Sequence, residues 1–239
     1  MNNRIYEAKR ILDACSEAQK REIFEYLRRE FPIHPLEAKL NARAELILEA
    51  IDRASDLTLR GMRGVIAEAA FKLNVIASLR GWREKTLKGD FSYDFLLGDS
   101  TGDVRIQVKM QRLKDHRPMM ANQGYKYLPT DMYVVETQRT RGGIDPQTKQ
   151  QTRPYRFGEF DILAVSMHPS TNDWSAFRYT VCDWLIPRPE DTKLMLKFQP
   201  VAKTPDLNWT DDFNQCVSWL RSGQKKRIWR PTEGTGSKQ

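Results

Sequence analysis

Apolar residues in positions 1–58 recur three and four apart, the spacing of one face of an α-helix. Ile23, Phe24, Leu27 and Phe31 follow Ser16 and Gln19, which are placed as a capping box, and Pro32 stops the run. Pro35 suits the first turn of another helix, with Leu36, Leu40, Leu46, Leu48 and Ile51 as its apolar positions. A third helix is expected from about Leu59 to Leu79, ending at Gly81 as its C′ residue, with Glu68 at its middle. The period then changes to two. Tyr93–Leu97 and Val104–Met110 alternate across GDSTGD and predict a strand–turn–strand hairpin within residues 91–111. Further strands are expected at Met132–Gln138, Phe160–Met167 and Ala176–Cys182, and late helices at Asp191–Phe198 and Asp211–Arg221. The pattern predicts an α/β (α+β) fold, a mixed central sheet flanked by helices. It divides into a helical subdomain (1–58), a core (59–230) and a disordered tail (231–239) without apolar residues.

The hairpin's alternation sorts its side chains. With Leu97 opposite Val104, Asp94 falls opposite Gln107. Val104, Ile106 and Val108 then share one face with Phe95 and Leu97, while Arg105, Gln107 and Lys109 share the other with Asp94. An acid, an amide and a lysine gathered there suit phosphodiester hydrolysis. A carboxylate is a hard ligand for Mg²⁺, and Gln107 and the backbone carbonyl of Val108 can add neutral oxygens. Lys109 can orient a water or stabilise developing negative charge. A half-exposed strand without chemistry would show the same alternation.

Composition narrows the partners. The chain has 239 residues, 40% hydrophobic and 29% charged, with no run of apolar residues long enough to span a membrane and no secretory signal at its start. Cys15, Cys182 and Cys216 are odd in number and lack metal-ligand spacing, which points to reduced thiols and a cytoplasmic setting. The net charge of +8 favours a polyanion or simply solubility.

YDFLLGDSTGDVRIQVKMQ, preceded by GVIAEAAFKL, resembles the PD-(D/E)XK nuclease superfamily over roughly residues 61–113. In that family a glutamate on a helix precedes an acid on one strand and an acid–x–lysine on the next. The resemblance implies catalytic roles for Glu68, Asp94, Gln107 and Lys109, and a metal held by Asp94, Gln107 and the Val108 carbonyl. Glutamine replaces the second acid, a Q-x-K version similar to that of some restriction and resolvase-like nucleases, and no proline precedes Asp94. YRFGEFDILAVSM resembles the following sheet strand, which implies a structural role for Asp161.

Two basic stretches stand apart from the motif. Residues 138–156 carry Arg139, Arg141, Lys149, Arg153 and Arg156 against one acid, Asp145, and are assigned to DNA because so long a loop in a compact domain is usually functional. Arg221, Lys225, Lys226, Arg227 and Arg230 surround Trp229 after the last helix, either as a phosphate grip or as a solvated cluster. Together these features lead to the expectation of a sequence-specific, Mg²⁺-dependent (Mn²⁺ substituting) type II restriction endonuclease. It would act on double-stranded DNA as a homodimer, with neither membrane nor nucleotide cofactor. The alternatives are a structure-selective nuclease of junction-resolvase or repair type, and a catalytically degenerate DNA-binding module.

Overall fold

A computed structural model describes residues 3–31, 34–89, 91–139 and 153–230. The chain separates into two units, Met1–Leu59 and Arg60–Gln239.

The first unit is helical, with α1 (Asn3–Ala14), α2 (Glu17–Glu30), α3 (Leu36–Leu40) and α4 (Ala44–Asp52). Ser16 Oγ accepts the Gln19 backbone N–H at 3.3 Å, and the Gln19 side chain accepts the Ser16 N–H at 2.9 Å, which is the expected capping box. The helix expected after Pro35 is divided. Asn41 takes φ +48°, a left-handed conformation that asparagine tolerates, and ends α3. Phe24, Phe31, Leu46 and Leu48 are exposed, whereas Arg28 is buried between Glu37 at 2.8 Å and Glu45 at 3.0 Å.

In the second unit a five-stranded mixed sheet runs in the order β1 (Arg83–Lys85), β2 (Phe95–Asp99), β3 (Gly102–Met110), β7 (Ile162–Ser166), β8 (Phe177–Val181). Only the β3–β7 pair is parallel. Two small antiparallel pairs stand beside it: β4 (Leu113–Lys114) with β5 (Arg117–Pro118), and β6 (Tyr133–Glu136) with β9 (Phe198–Val201). The flanking helices are α5 (Asp56–Ala70), the single turns α6 (Ala121–Gly124) and α7 (His168–Thr171), and α8 (Phe213–Arg221). No helix among the described residues is long and apolar enough to cross a membrane. Cys15, Cys182 and Cys216 are unpaired.

The predicted register holds, with Leu97 opposite Val104. The turn is tighter than the six residues expected, because pairing continues to Asp99 opposite Gly102 and leaves only Ser100 and Thr101 outside it. Asp99 Oδ1 accepts the N–H groups of Thr101 and Gly102, and Gly102 sits at φ +142°, a conformation open to glycine. Arg221 of α8 then clamps Asp99 at 2.7 Å and holds its carboxyl well below the usual range.

Phe95, Leu97, Val104, Ile106 and Val108 form one buried face with Ala164, Phe177 and Tyr179. Phe71 is fully buried against this face, its ring 5.3 Å from those of Phe95 and Phe177 and 6.4 Å from that of Phe213 in α8. The third helix departs from expectation after Ala70. It widens to a π turn at Phe71–Val75, tightens to a 3₁₀ turn at Ile76–Ser78 and stops at Leu79, two residues before Gly81. The helix expected at Asp191–Phe198 is absent. A turn at Asp191–Leu194 is followed by bridges from Leu194 to Arg156 and from Met195 to Pro187 before β9 begins, and these long-range pairings outweigh local helical spacing. The tail from residue 231 lies outside the described residues.

Asp161, immediately before β7, fastens that strand to Arg105 of β3 where the parallel pairing begins. Its carboxylate accepts the Arg105 backbone N–H at 2.8 Å and the Arg105 guanidinium at 2.6 and 3.1 Å. Removing it strips three charge-assisted bonds from the parallel pair. Asp161→Ala is therefore expected to lower unfolding free energy by about 2 kcal/mol, read as a lower urea midpoint at constant slope. A loss below about 0.5 kcal/mol, typical of exposed pairs, would show that Asp161 does not join the strands.

Candidate active site

The polar face of the hairpin is built around Asp94. This residue immediately precedes β2, and its N–H donates to the Ile106 carbonyl at 2.9 Å, continuing the strand register. Asp94 Oδ2 accepts the Val108 backbone N–H at 2.8 Å and the Gln107 side-chain amide at 2.6 Å. The same Gln107 nitrogen also donates to the Val108 carbonyl at 3.1 Å. Gln107 is only 2% exposed. Its NH₂ group therefore sits between two oxygens that a cation would otherwise occupy, and presenting its carbonyl there requires rotation of the amide.

Lys109, two residues on, faces the same side. Its ammonium lies 5.3 Å from the centre of the Tyr155 ring, and its charge acts on Asp94, Glu68 and Tyr155 together. Glu68 reaches this group from α5. Burial first, and then the charge of Asp94, push its carboxyl up to about 7, with Lys109 pulling the other way. Burial likewise raises the Asp94 carboxyl, against the pull of Lys109 and the Val108 N–H. Lys72, one turn on from Glu68, pairs with Glu84 at 2.9 Å rather than with Glu68. All four motif residues thus come into one electrostatic neighbourhood. Among the described residues no group of three or more His, Cys, Asp or Glu side chains is arranged to hold a metal. Two carboxylates with neutral oxygens nearby still match Mg²⁺, which takes one or two such ligands and keeps waters.

Tyr155 was not singled out by the sequence, where it lies among arginines and glutamines with no periodicity. It is nevertheless buried, and the Arg139 guanidinium lies over the same ring as Lys109, 5.5 Å from its centre. Arg139 itself is bound to Glu159 at 2.7 Å. Arg153 is exposed, Arg156 is half-buried, and Arg141 and Lys149 lie outside the described residues. Gln111, which follows β3, is wholly buried, and among the described residues neither its amide oxygen nor its nitrogen finds a partner. Gln123 accepts the Met120 N–H at 2.9 Å and caps α6. From the C-terminal basic stretch, Arg221 is committed to Asp99.

The raised Glu68 carboxyl makes stability depend on pH. The folded state holds this proton up to about pH 7, whereas the unfolded chain releases it near its ordinary value of 4.5, so stability falls as pH rises between the two. Glu68→Gln is expected to leave stability near pH 5 little changed. Without divalent metal at pH 8 it should stabilise the protein by about 1–2 kcal/mol, a figure discounted for partial exposure. Urea unfolding at both pH values tests this, and an equal effect at both would exclude a raised Glu68.

No family model matches the chain, and no curated protein matches it. Among solved structures it is similar to a bacterial homing endonuclease, I-Ssp6803I, at 20% identity over 68% of this chain and 92% of that chain, with a TM-score of 0.37.

Proposed function

We propose that this chain is a metal-dependent endonuclease of double-stranded DNA, a divergent relative of the PD-(D/E)XK enzymes, with Glu68, Asp94, Gln107 and Lys109 as its active site. One observation carries the reading: two carboxylates with raised proton affinity share a half-buried site with a lysine, in the order helix, strand, strand. Asp94 would hold Mg²⁺, or Mn²⁺ in its place, together with the Val108 carbonyl and the Gln107 carbonyl after amide rotation, which leaves Glu68 free of the ion. When bound, the ion supplies positive charge that polarises the phosphate and acidifies water.

The protein's own groups do the rest. Lys109 places positive charge where the phosphoryl oxygens gain negative charge. Glu68 titrates close to neutrality and can accept the proton of the attacking water. As the water oxygen bonds to phosphorus, the bond to the leaving ester oxygen breaks. That oxygen takes a proton from solvent, and the products are a phosphomonoester and a hydroxyl. The finer reading is a type II restriction endonuclease acting as a homodimer, since two-strand cleavage of a palindrome matches two-fold symmetry.

A specific observation favours a second reading, a degenerate DNA-binding module: the Gln107 amide already satisfies Asp94 and the Val108 carbonyl. Gln107→Glu separates the two. A carboxylate beside Asp94 should cost the metal-free protein about 2 kcal/mol, and Mg²⁺ should then raise its melting temperature more than it raises that of the wild type. No Mg²⁺ response in either protein would favour the degenerate module.

Digestion of a large phage genome tests the activity itself. Wild-type protein with Mg²⁺ should give discrete fragments, and Lys109→Ala should slow cleavage at least about 100-fold. Preference for branched over linear DNA would replace the restriction reading with a structure-selective nuclease. Intact duplex with Mg²⁺ and with Mn²⁺, despite binding, would overturn catalysis.

A further inference from the structure

Outside the Asp94 cluster, an open cavity of about 660 Å³ is lined by Arg156, Lys193, Lys225, Lys226, Arg227 and Arg230. These six cations come from three separate stretches of chain: the end of the long basic segment, the turn before β9, and the segment after α8. Among the described residues the lining contains a single acid, Asp183. We propose that this cavity is a second phosphodiester-binding site, which grips the backbone of duplex DNA away from the hydrolytic cluster; the choice of DNA rests on the nuclease reading above.

Two of the cations are pre-set. Arg227 donates through Nη1 to the carbonyls of Asp183 at 2.7 Å and Leu185 at 2.9 Å, and its guanidinium lies 5.7 Å from the centre of the Phe157 ring. Lys226 donates to the Leu207 carbonyl at 3.1 Å and lies 4.9 Å from the ring centre of buried Trp184. Carbonyl and ring partners orient these side chains without cancelling their charge, so an incoming phosphate meets ordered cations. Lys193, Lys225 and Arg230 are exposed around them and form no ion pair among the described residues. One phosphate monoester would engage only part of this set, whereas successive phosphates of a nucleic-acid strand can engage most of it. The lining favours duplex over single-stranded DNA. Among the described lining residues the one aromatic is Phe157, with the Arg227 guanidinium 5.7 Å from its ring centre, so no other ring there offers an unpaired base a stacking surface.

The test is fluorescence-anisotropy binding of a labelled 30-base-pair duplex and its single strand in EDTA, across a salt series. Wild-type protein and the triple variant Lys193→Ala/Lys225→Ala/Arg230→Ala are compared, with circular dichroism to verify folding. The altered side chains are exposed, so the fold should be retained. Expected is a loss of at least tenfold in duplex affinity near 0.1 M salt. The slope of log affinity against log salt should become shallower by up to about 2.7, or 0.9 for each phosphate no longer neutralised. Affinity within twofold of wild type at an unchanged slope would overturn the cavity as a site, as would absence of duplex binding by the wild type. Tighter binding of the single strand would overturn the duplex assignment. Cavity-dependent binding by a protein that cuts no duplex with Mg²⁺ would refute the nuclease reading while supporting the cavity. Cleavage with unaltered binding by the triple variant would do the reverse.

Discussion

The bond from the Val108 N–H to Asp94 Oδ2 is the constraint on which the polar site depends. A backbone donor of β3 cannot change its direction without disturbing the strand, so it fixes the carboxylate to the strand register. The register itself is held from below by the packed face of Phe95, Leu97, Val104, Ile106 and Val108. At the hairpin's tip, Asp99 closes the turn and Arg221 anchors it to α8. Core packing, turn chemistry and an ion pair from a distant helix thus converge on the position of one carboxylate.

That placement has an electrostatic cost which the neighbours moderate. Two carboxylates near each other in a half-buried site each disfavour the other's charge, and burial disfavours both. Lys109 offsets part of this, as does the backbone donor on Asp94. Glutamine at position 107, where the resembling family carries an acid, avoids adding a third negative charge. It also donates to Asp94, where a second carboxylate would repel it. The substitution that makes the motif look weakened is therefore the one that lets the metal-free site persist with little strain.

The hairpin and its faces were legible because side-chain direction alternates by covalent geometry, and because a one-residue slip would turn the apolar residues away from their shared face. Ser16 and Gln19 were legible for a similar reason: a cap is local. What failed was decided by partners far away in the chain. Leu194 bridges Arg156, Met195 bridges Pro187 and residues 198–201 pair with 133–136, so local helical spacing at 191–198 misled. Residues 36–51 are divided by one left-handed asparagine that no periodicity announces. Tyr155 belongs to the site through its ring's approach to Lys109, a residue far back in the chain, and nothing around it in the sequence marks it.

The same distinction separates the arginines. Counted along the chain, Arg105, Arg139 and Arg221 look like parts of a basic surface, yet each pairs with a carboxylate at 2.7 Å or less. Their charge is largely cancelled for any distant polyanion, and their contribution is to geometry. Arg227 and Lys226 are held as firmly, but by carbonyls and rings that carry no net charge. Being ordered and being neutralised are thus separate properties of a cation. Net charge records neither, and only cations that are ordered but not neutralised can attract an anion without first releasing another partner.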